Sequence, residues 1–206
     1  METKNISQTI LARLPGYLDY LLTLPEDDSQ YISSGKIAEE FAMGEVQVRK
    51  DLAAVSTGGK PKVGYLRVEL IKTLEEILRY KDIENVVIVG AGKLGSALIN
   101  YNGFERYGLN ISMAFDVDKE VIEKNILNKP VLPLKDFTQT CKNNNIKIGI
   151  IATPAKDAQS ICDLMVESGI LAIMNFTATT QLKVPKYISL QNVNIASMLA
   201  LLKVNL

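Results

Sequence analysis

Apolar residues recur along this chain with two different periods, and the change of period divides it. Ile6, Ile10, Leu14, Leu18, Leu21 and Leu22 fall at helical spacing, so residues 5–22 read as an amphipathic helix that Pro15 must kink or bound. The run Pro25-Glu26-Asp27-Asp28 then ends it. Ser33 or Ser34 is placed to cap a second helix with Ile37, Ala38 and Phe41 inward, and after Gly44 a third carries Val48, Leu52 and Val55 inward. Residues 56–65 are rich in turn formers, as a hairpin loop is, and Val68, Ile71, Leu74, Ile77 and Leu78 follow on one face of a further helix.

From Asn85 onward, short apolar runs alternate with helix-length segments. Residues 86–89, 111–115, 146–152 and 171–176 read as buried strands, with 131–132 and 187–190 as weaker additions. That order is the pattern of a parallel sheet covered on both faces, an α/β Rossmann-type domain. The expected division is a small helical domain over 1–80 and the α/β domain over 85–206. Ile195, Met198, Leu199 and Leu202 add an apolar stripe on a helix near the C-terminus.

The first strand runs directly into Gly90-Ala91-Gly92-Lys93-Leu94-Gly95, and a helix through Ala97, Leu98 and Tyr101 is expected to follow. In that setting Gly90 permits the tight turn, Gly92 lets the backbone approach a pyrophosphate, and Gly95 lets helix and sheet lie close. Free N–H groups and the positive end of the helix dipole then face the anion. Lys93 itself is read as facing solvent. Asp116 ends the second strand 21 residues past Gly95, where a carboxylate can accept hydrogen bonds from the adenosine ribose, with Val117 beside it. Asp118 adds a further negative charge that repels a 2′-phosphate, so the expected cofactor is NADH or NAD⁺ over the phosphorylated forms. The competing account has the glycines making only a tight turn and Asp116 only capping a helix. Thr153, Pro154 and Asn175 lie at strand ends where open α/β sheets place ligands, and are equally ordinary turn formers.

Composition narrows the chemistry. The chain has no histidine, and none of its tyrosines has a lysine four positions later, so the common proton-transfer groups of nicotinamide dehydrogenases are missing. A binding role and no enzyme activity is therefore the expectation, against a small NAD(H)-dependent oxidoreductase or a CoA- or nucleotide-binding scaffold as alternatives. Cys141 and Cys162 fit no metal or redox spacing and read as buried thiols; no metal and no membrane partner is expected, and the location expected is cytoplasmic. Overall neutrality hides an acidic stretch over 26–45 and a basic one over 49–67, where Asp51 is the single acid. Residues 33–55 can form a helix-turn-helix whose second helix presents Gln47, Arg49 and Lys50 to a major groove, with Lys60 and Lys62 on the following loop.

These segments taken together resemble the Rex family of redox-sensing transcriptional repressors. The resemblance is carried by Leu14-Pro15-Gly16-Tyr17, Gln47-Val48-Arg49-Lys50-Asp51-Leu52, Val63-Gly64-Tyr65, the glycine turn, Asn100-Tyr101-Asn102-Gly103-Phe104-Glu105, Ala114-Phe115-Asp116-Val117-Asp118, Thr153-Pro154-Ala155 and Asn175-Phe176. It implies a homodimer with an N-terminal winged helix, a Rossmann domain, and a last helix swapped onto the partner. It also implies that operator DNA is bound when NADH is scarce and released when NADH binds, with Tyr101 linked to sensing. The chain departs from the family at Ala42, where Gly is usual, at Gly44, where Thr is usual, and at Lys60-Pro61-Lys62 in place of an Arg-Gly pair. Some family members pair an Arg of the first helix with an Asp near the swapped helix; the matching positions here are Asp19 and Asn194, which cannot form that ion pair.

Overall fold

The computed structural model describes residues 6–25, 30–122, 126, 128–177 and 181–204. The chain divides into two compact units, Met1–Asp82 and Ile83–Leu206. In the first unit the expected leading helix is two, α1 (Gln8–Leu11) and α2 (Leu14–Thr23), because Pro15 lies in the opening turn of α2, where its missing N–H costs nothing. The acidic run at 26–28 lies outside the described residues. Strand β1 (Tyr31–Ile32), helices α3 (Ser34–Glu40) and α4 (Glu45–Val55), strand β2 (Tyr65–Leu66) and helix α5 (Arg67–Leu78) complete the unit. Ser33 is the cap of α3, its hydroxyl accepting from the Lys36 N–H.

The core of this unit joins Leu14, Leu18 and Leu21 of α2 to Ile37, Val48, Leu52 and Leu74. Two positions differ from the periodic reading. Leu22 and Val68 are exposed, and their places are taken by Tyr17 and Leu70, both buried. At about 100° per residue, Tyr17 and Leu22, and likewise Val68 and Leu70, point to largely opposite sides of their helices, and the core-facing side is the one that carries Tyr17 and Leu70.

The second unit is a six-stranded, all-parallel sheet in the order β5-β4-β3-β6-β7-β8. Its strands are β3 (Glu84–Val89), β4 (Leu109–Asp116), β5 (Val131–Pro133), β6 (Ile148–Ile151), β7 (Ala172–Asn175) and β8 (Ser189–Asn192). Both weaker strands are thus present, the last two residues later than the apolar run implied. Alternation sorts β3 cleanly: Val87 and Val89 join Phe115, Ile151, Ile173 and the helices α8 (Phe137–Asn143) and α9 (Ala158–Glu167) on one face. Val86 and Ile88 join Ile111, Ile150 and Ile99 of α6 (Lys93–Ile99) on the other. Cys141 and Cys162 are buried in the first of these layers, and burial pushes the Cys141 thiol up to about 11, which leaves it protonated and inert. A short helix α7 (Lys119–Ile122) follows β4, and α10 (Ile195–Val204) closes the chain.

Candidate functional sites

The sheet order reverses between β3 and β6, the topological switch point where doubly wound sheets open a crevice at their carboxyl ends. Gly90 leaves β3 at φ +98, and a Cβ there would stand 2.6 Å from the Ala152 carbonyl oxygen, so only glycine lets the two chains pass. Gly95 is needed for the same closeness, since its Cβ would meet the Gly90 carbonyl oxygen at 1.9 Å. Gly92 is different. Its φ is −65 and nothing lies within 4 Å of an added Cβ, so the protein's own packing does not call for glycine there. The open space in front of it is part of a cleft of about 360 Å³ shared with Gly90, Asp116, Val117, Thr153 and Pro154.

Three observations say that an anionic dinucleotide fits this cleft. The N–H groups of Lys93, Leu94 and Gly95 open α6 without intrahelical acceptors, at the positive end of its dipole. Gly92 leaves room for a close backbone approach. Thr153 Oγ1 is buried at the cleft with no hydrogen-bond partner among the described residues, and a buried hydroxyl left unpaired is costly unless a ligand or water satisfies it.

Asp116 is more firmly held than expected. Its Oδ2 accepts from the Ala91 N–H at 2.7 Å, and its Oδ1 accepts from the N–H groups of Val117 and Asp118 at 2.7 and 3.0 Å. A carboxylate has about four acceptor positions, so the three main-chain bonds fix its direction and leave capacity for a ribose hydroxyl. Capping falls to Asp118, which accepts from the Glu120 N–H. Other residues read from the sequence lie elsewhere. Ala91 is buried and Lys93 is exposed. Leu94 does not line the cleft. Tyr101 falls just beyond α6, is exposed, and packs edge-on against Phe104 at 5.2 Å. Asn175 is buried and spent on structure: its amide donates to Asn192 Oδ1 and its oxygen accepts from Thr177, tying β7 to β8. Leu134, Asp157, Ser160 and Ile161 line the cleft unannounced, brought there only by the sheet topology.

The N-terminal unit carries a second candidate surface. Helix α3 ends in a Schellman turn, with the Met43 N–H bonded to the Ala38 carbonyl and the Ala42 N–H to Glu39. Ala42 therefore takes the left-handed position, φ +48, that glycine usually fills. Gly44 begins α4 with no side chain to cap it. Val48, Leu52 and Val55 turn inward from α4, which leaves Gln47, Arg49 and Lys50 exposed. The loop expected to be a hairpin closes by paired main-chain bonds between Lys60 and Gly64, with Pro61 and a left-handed Lys62, φ +63, at its tip. Arg49, Lys60 and Lys62 share a cleft of about 540 Å³ with Ser34 and Glu45, whereas Gln47 and Lys50 lie outside it. Lys60 Nζ also stands 5.6 Å over the ring of Tyr31.

Beneath that surface lies a polar group that spacing did not point to. Asp51, on the inner side of α4, has 0% exposure. It accepts from Arg13 Nε and Nη2 at 2.6 and 2.7 Å, from the Tyr17 hydroxyl at 2.8 Å and from Gln47 Nε2 at 2.8 Å. Burial alone would push this carboxyl up, but the bonds from Arg13, Tyr17 and Gln47 outweigh it and hold it below its ordinary value. Burial and the bond to Asp51 together push Tyr17 up to about 12. Among the described residues no cluster suited to a metal ion is present, and no helix is long and apolar enough to cross a membrane.

Two family models match the chain in the same order as its two units: "Putative DNA-binding protein N-terminus" over residues 5–53 and "CoA binding domain" over residues 81–179. The redox-sensing transcriptional repressor Rex of Desulforamulus reducens is 40% identical over 206 residues, covering 100% of this chain and 98% of that one. The chain belongs to the Rex family of redox-sensing transcriptional repressors. A Rex-family repressor, RSP, solved in complex with β-NAD⁺ and operator DNA, superposes with a TM-score of 0.90 at 34% identity, covering 97% of this chain and 92% of that one. RSP in complex with β-NADH gives a TM-score of 0.87 at 33% identity, covering 98% of this chain and 94% of that one.

Proposed function

We propose that this Rex-family chain binds operator DNA as a homodimer, through the basic face of α4 and the wing at 60–64, and leaves it when NADH fills the cleft at the glycine turn. The observation that carries the reading is the coexistence, in one chain, of a dinucleotide cleft and an exposed basic recognition surface. Gly92 and the first turn of α6 would take the pyrophosphate, Asp116 a ribose hydroxyl, and Thr153 Oγ1 would find its missing partner on the ligand. With Asp116 and Asp118 adjacent, a 2′-phosphate would meet like charge, so NADH is the favoured form. Arg49, Lys50, Lys60 and Lys62 supply phosphate contacts and Gln47 a base contact.

A homodimer is supported by unpartnered apolar surface. Helix α10 exposes Ile195, Met198, Leu199, Leu201 and Leu202, and the α6 face of the sheet keeps a small apolar depression lined by Phe104, Ile148 and Met174. Contiguous apolar surface of this kind marks an association site. We read α10 as the element exchanged between two copies, an isologous arrangement that gives two recognition helices for a two-fold operator.

The regulatory logic is linkage. NADH shifts the protein from its DNA-competent state only by binding the other state more tightly. A gel shift on DNA upstream of its own gene tests the function: retardation with NAD⁺ or no cofactor, and release by NADH, is the expected result. Retardation that NADH leaves unchanged would reject it.

A further inference from the structure

Gln47 and Asp51 lie one turn apart on α4, the first exposed and the second sealed inside the unit. Asp51 is ionised against Arg13 and can only accept hydrogen bonds, so the 2.8 Å contact fixes which end of the Gln47 amide faces it: Nε2 turns inward. The opposite end, Oε1, has no protein partner among the described residues. An unrestrained glutamine samples several rotamers and offers either end of its amide, donor or acceptor, to whatever approaches. Here one Nε2 hydrogen is committed from below, to a carboxylate that Arg13 and Tyr17 hold in place from α2 and the turn before it, which fixes the side on which Oε1 faces outward and leaves at most one N–H beside it.

We infer that Asp51 is a positioning residue that presents Gln47 to the major groove with its carbonyl oxygen leading, so that this position of the operator favours a base offering an exocyclic amino group. In the major groove those bases are adenine, through N6, and cytosine, through N4. Guanine and thymine would set O6 or O4 against Oε1, acceptor against acceptor. Specificity then arises as much from this repulsion as from the bond gained. Arg13 and Tyr17 are part of the reading apparatus without touching DNA. The inference rests on the proposed role of α4 in DNA binding.

The test is selection of bound sequences from a pool of random duplexes by the full-length protein, followed by affinities for single-base variants of the winner. Wild type is expected to prefer an amino base at one step by about tenfold. Gln47→Ala and Asp51→Asn should each reduce that one preference below about threefold, while preferences at every other step stay as in wild type. Asn at 51 leaves Arg13 without its counter-charge, so the double variant Arg13→Gln/Asp51→Asn, which buries no net charge, serves as the second probe, with its thermal melt confirming folding. A brace that merely holds α4 in place would weaken all contacts alike. Retention of the tenfold preference in Gln47→Ala, or in either folded Asp51 variant, overturns the inference. Failure of wild type to enrich any sequence overturns the DNA-binding reading itself, and is recognised before any variant is made.

Discussion

The guanidinium of Arg13 closes on the carboxylate of Asp51 through two parallel hydrogen bonds, Nε to Oδ2 at 2.6 Å and Nη2 to Oδ1 at 2.7 Å, across 38 residues of sequence. Asp51 is wholly buried while the Arg13 side chain keeps 24% of its surface. Removing the arginine would strand a buried carboxylate, so Arg13→Ala should cost about 3 kcal/mol in urea unfolding. Arg13→Lys keeps the charge and loses the fork, and should cost about 1 kcal/mol. Equal stability of wild type and Arg13→Ala would show that the pair contributes nothing.

The same pair sets a pH dependence. The Asp51 carboxyl is lowered in the folded protein, so its contribution is complete above the ordinary carboxylate range and is lost as pH falls through the lowered folded value. The stability difference between wild type and Asp51→Asn should be flat from neutral pH down to roughly 5 and shrink below roughly 4. Tyr17 runs the other way: raised to about 12, it favours the fold at neutral pH and ceases to do so as alkali titrates it. Tyr17→Phe should remove from an ultraviolet absorbance titration one tyrosine that titrates above the ordinary range, at about 12.

Two residues on the turn between α3 and α4 are locally unfavourable, and both should be improvable. Ala42 occupies a left-handed position at φ +48, where an L side chain is strained, so Ala42→Gly should stabilise by about 0.5–1 kcal/mol. Gly44 caps α4 with nothing within 4 Å of its missing Cβ. Gly44→Thr supplies the hydroxyl acceptor the helix lacks and should add about 0.5 kcal/mol. Thermal melts of the two variants and their combination check both; a fall in melting temperature would contradict the strain and capping assigned to these residues.

The glycine turn separates folding from ligand binding. Gly92→Ala meets no atom and no backbone strain, so it should fold as wild type yet lose about tenfold or more in NADH affinity, because the methyl enters the space for the pyrophosphate. Gly90→Ala faces a positive φ and the Ala152 carbonyl, and should destabilise the second unit outright. Calorimetric titration beside thermal melting distinguishes them. A Gly92→Ala protein that binds NADH normally would remove Gly92 from the site.

Helix α10 should govern assembly. Leu199→Glu with Leu202→Glu places charge on its exposed apolar surface and should convert a sedimenting dimer to monomer while leaving the Rossmann unit folded. A dimer that survives both changes would locate the interface elsewhere.

Much of this was legible in the sequence because it depends on local pattern. Val86 to Val89 flow into a glycine turn and then a helix, so strand, turn and helix are each visible within a dozen residues, and Asp116 follows at the spacing of one crossover. The long-range parts were not. Asp51 stood out only as the single acid in a basic stretch, and its partner Arg13 is tied to it by packing of α2 on α4, which no spacing rule encodes. Asn175 sits at a strand end as ligand residues do, but its neighbour β8 claims the side chain, and that edge strand has too short an apolar run to fix its register from sequence. Tyr101 continues the helical spacing of α6 by one residue after the helix has ended, so periodicity alone places it wrongly.

The proposed function couples the dinucleotide cleft to the DNA surface, and coupling free energies are reciprocal. The most direct measurement is the calorimetric affinity of the full-length protein for NADH with and without saturating operator DNA. NADH should bind at least about tenfold more weakly in the presence of operator, by the same factor with which it weakens operator binding, and NAD⁺ should show a smaller change or none. An NADH affinity that operator leaves unaltered would show that the two sites are not coupled.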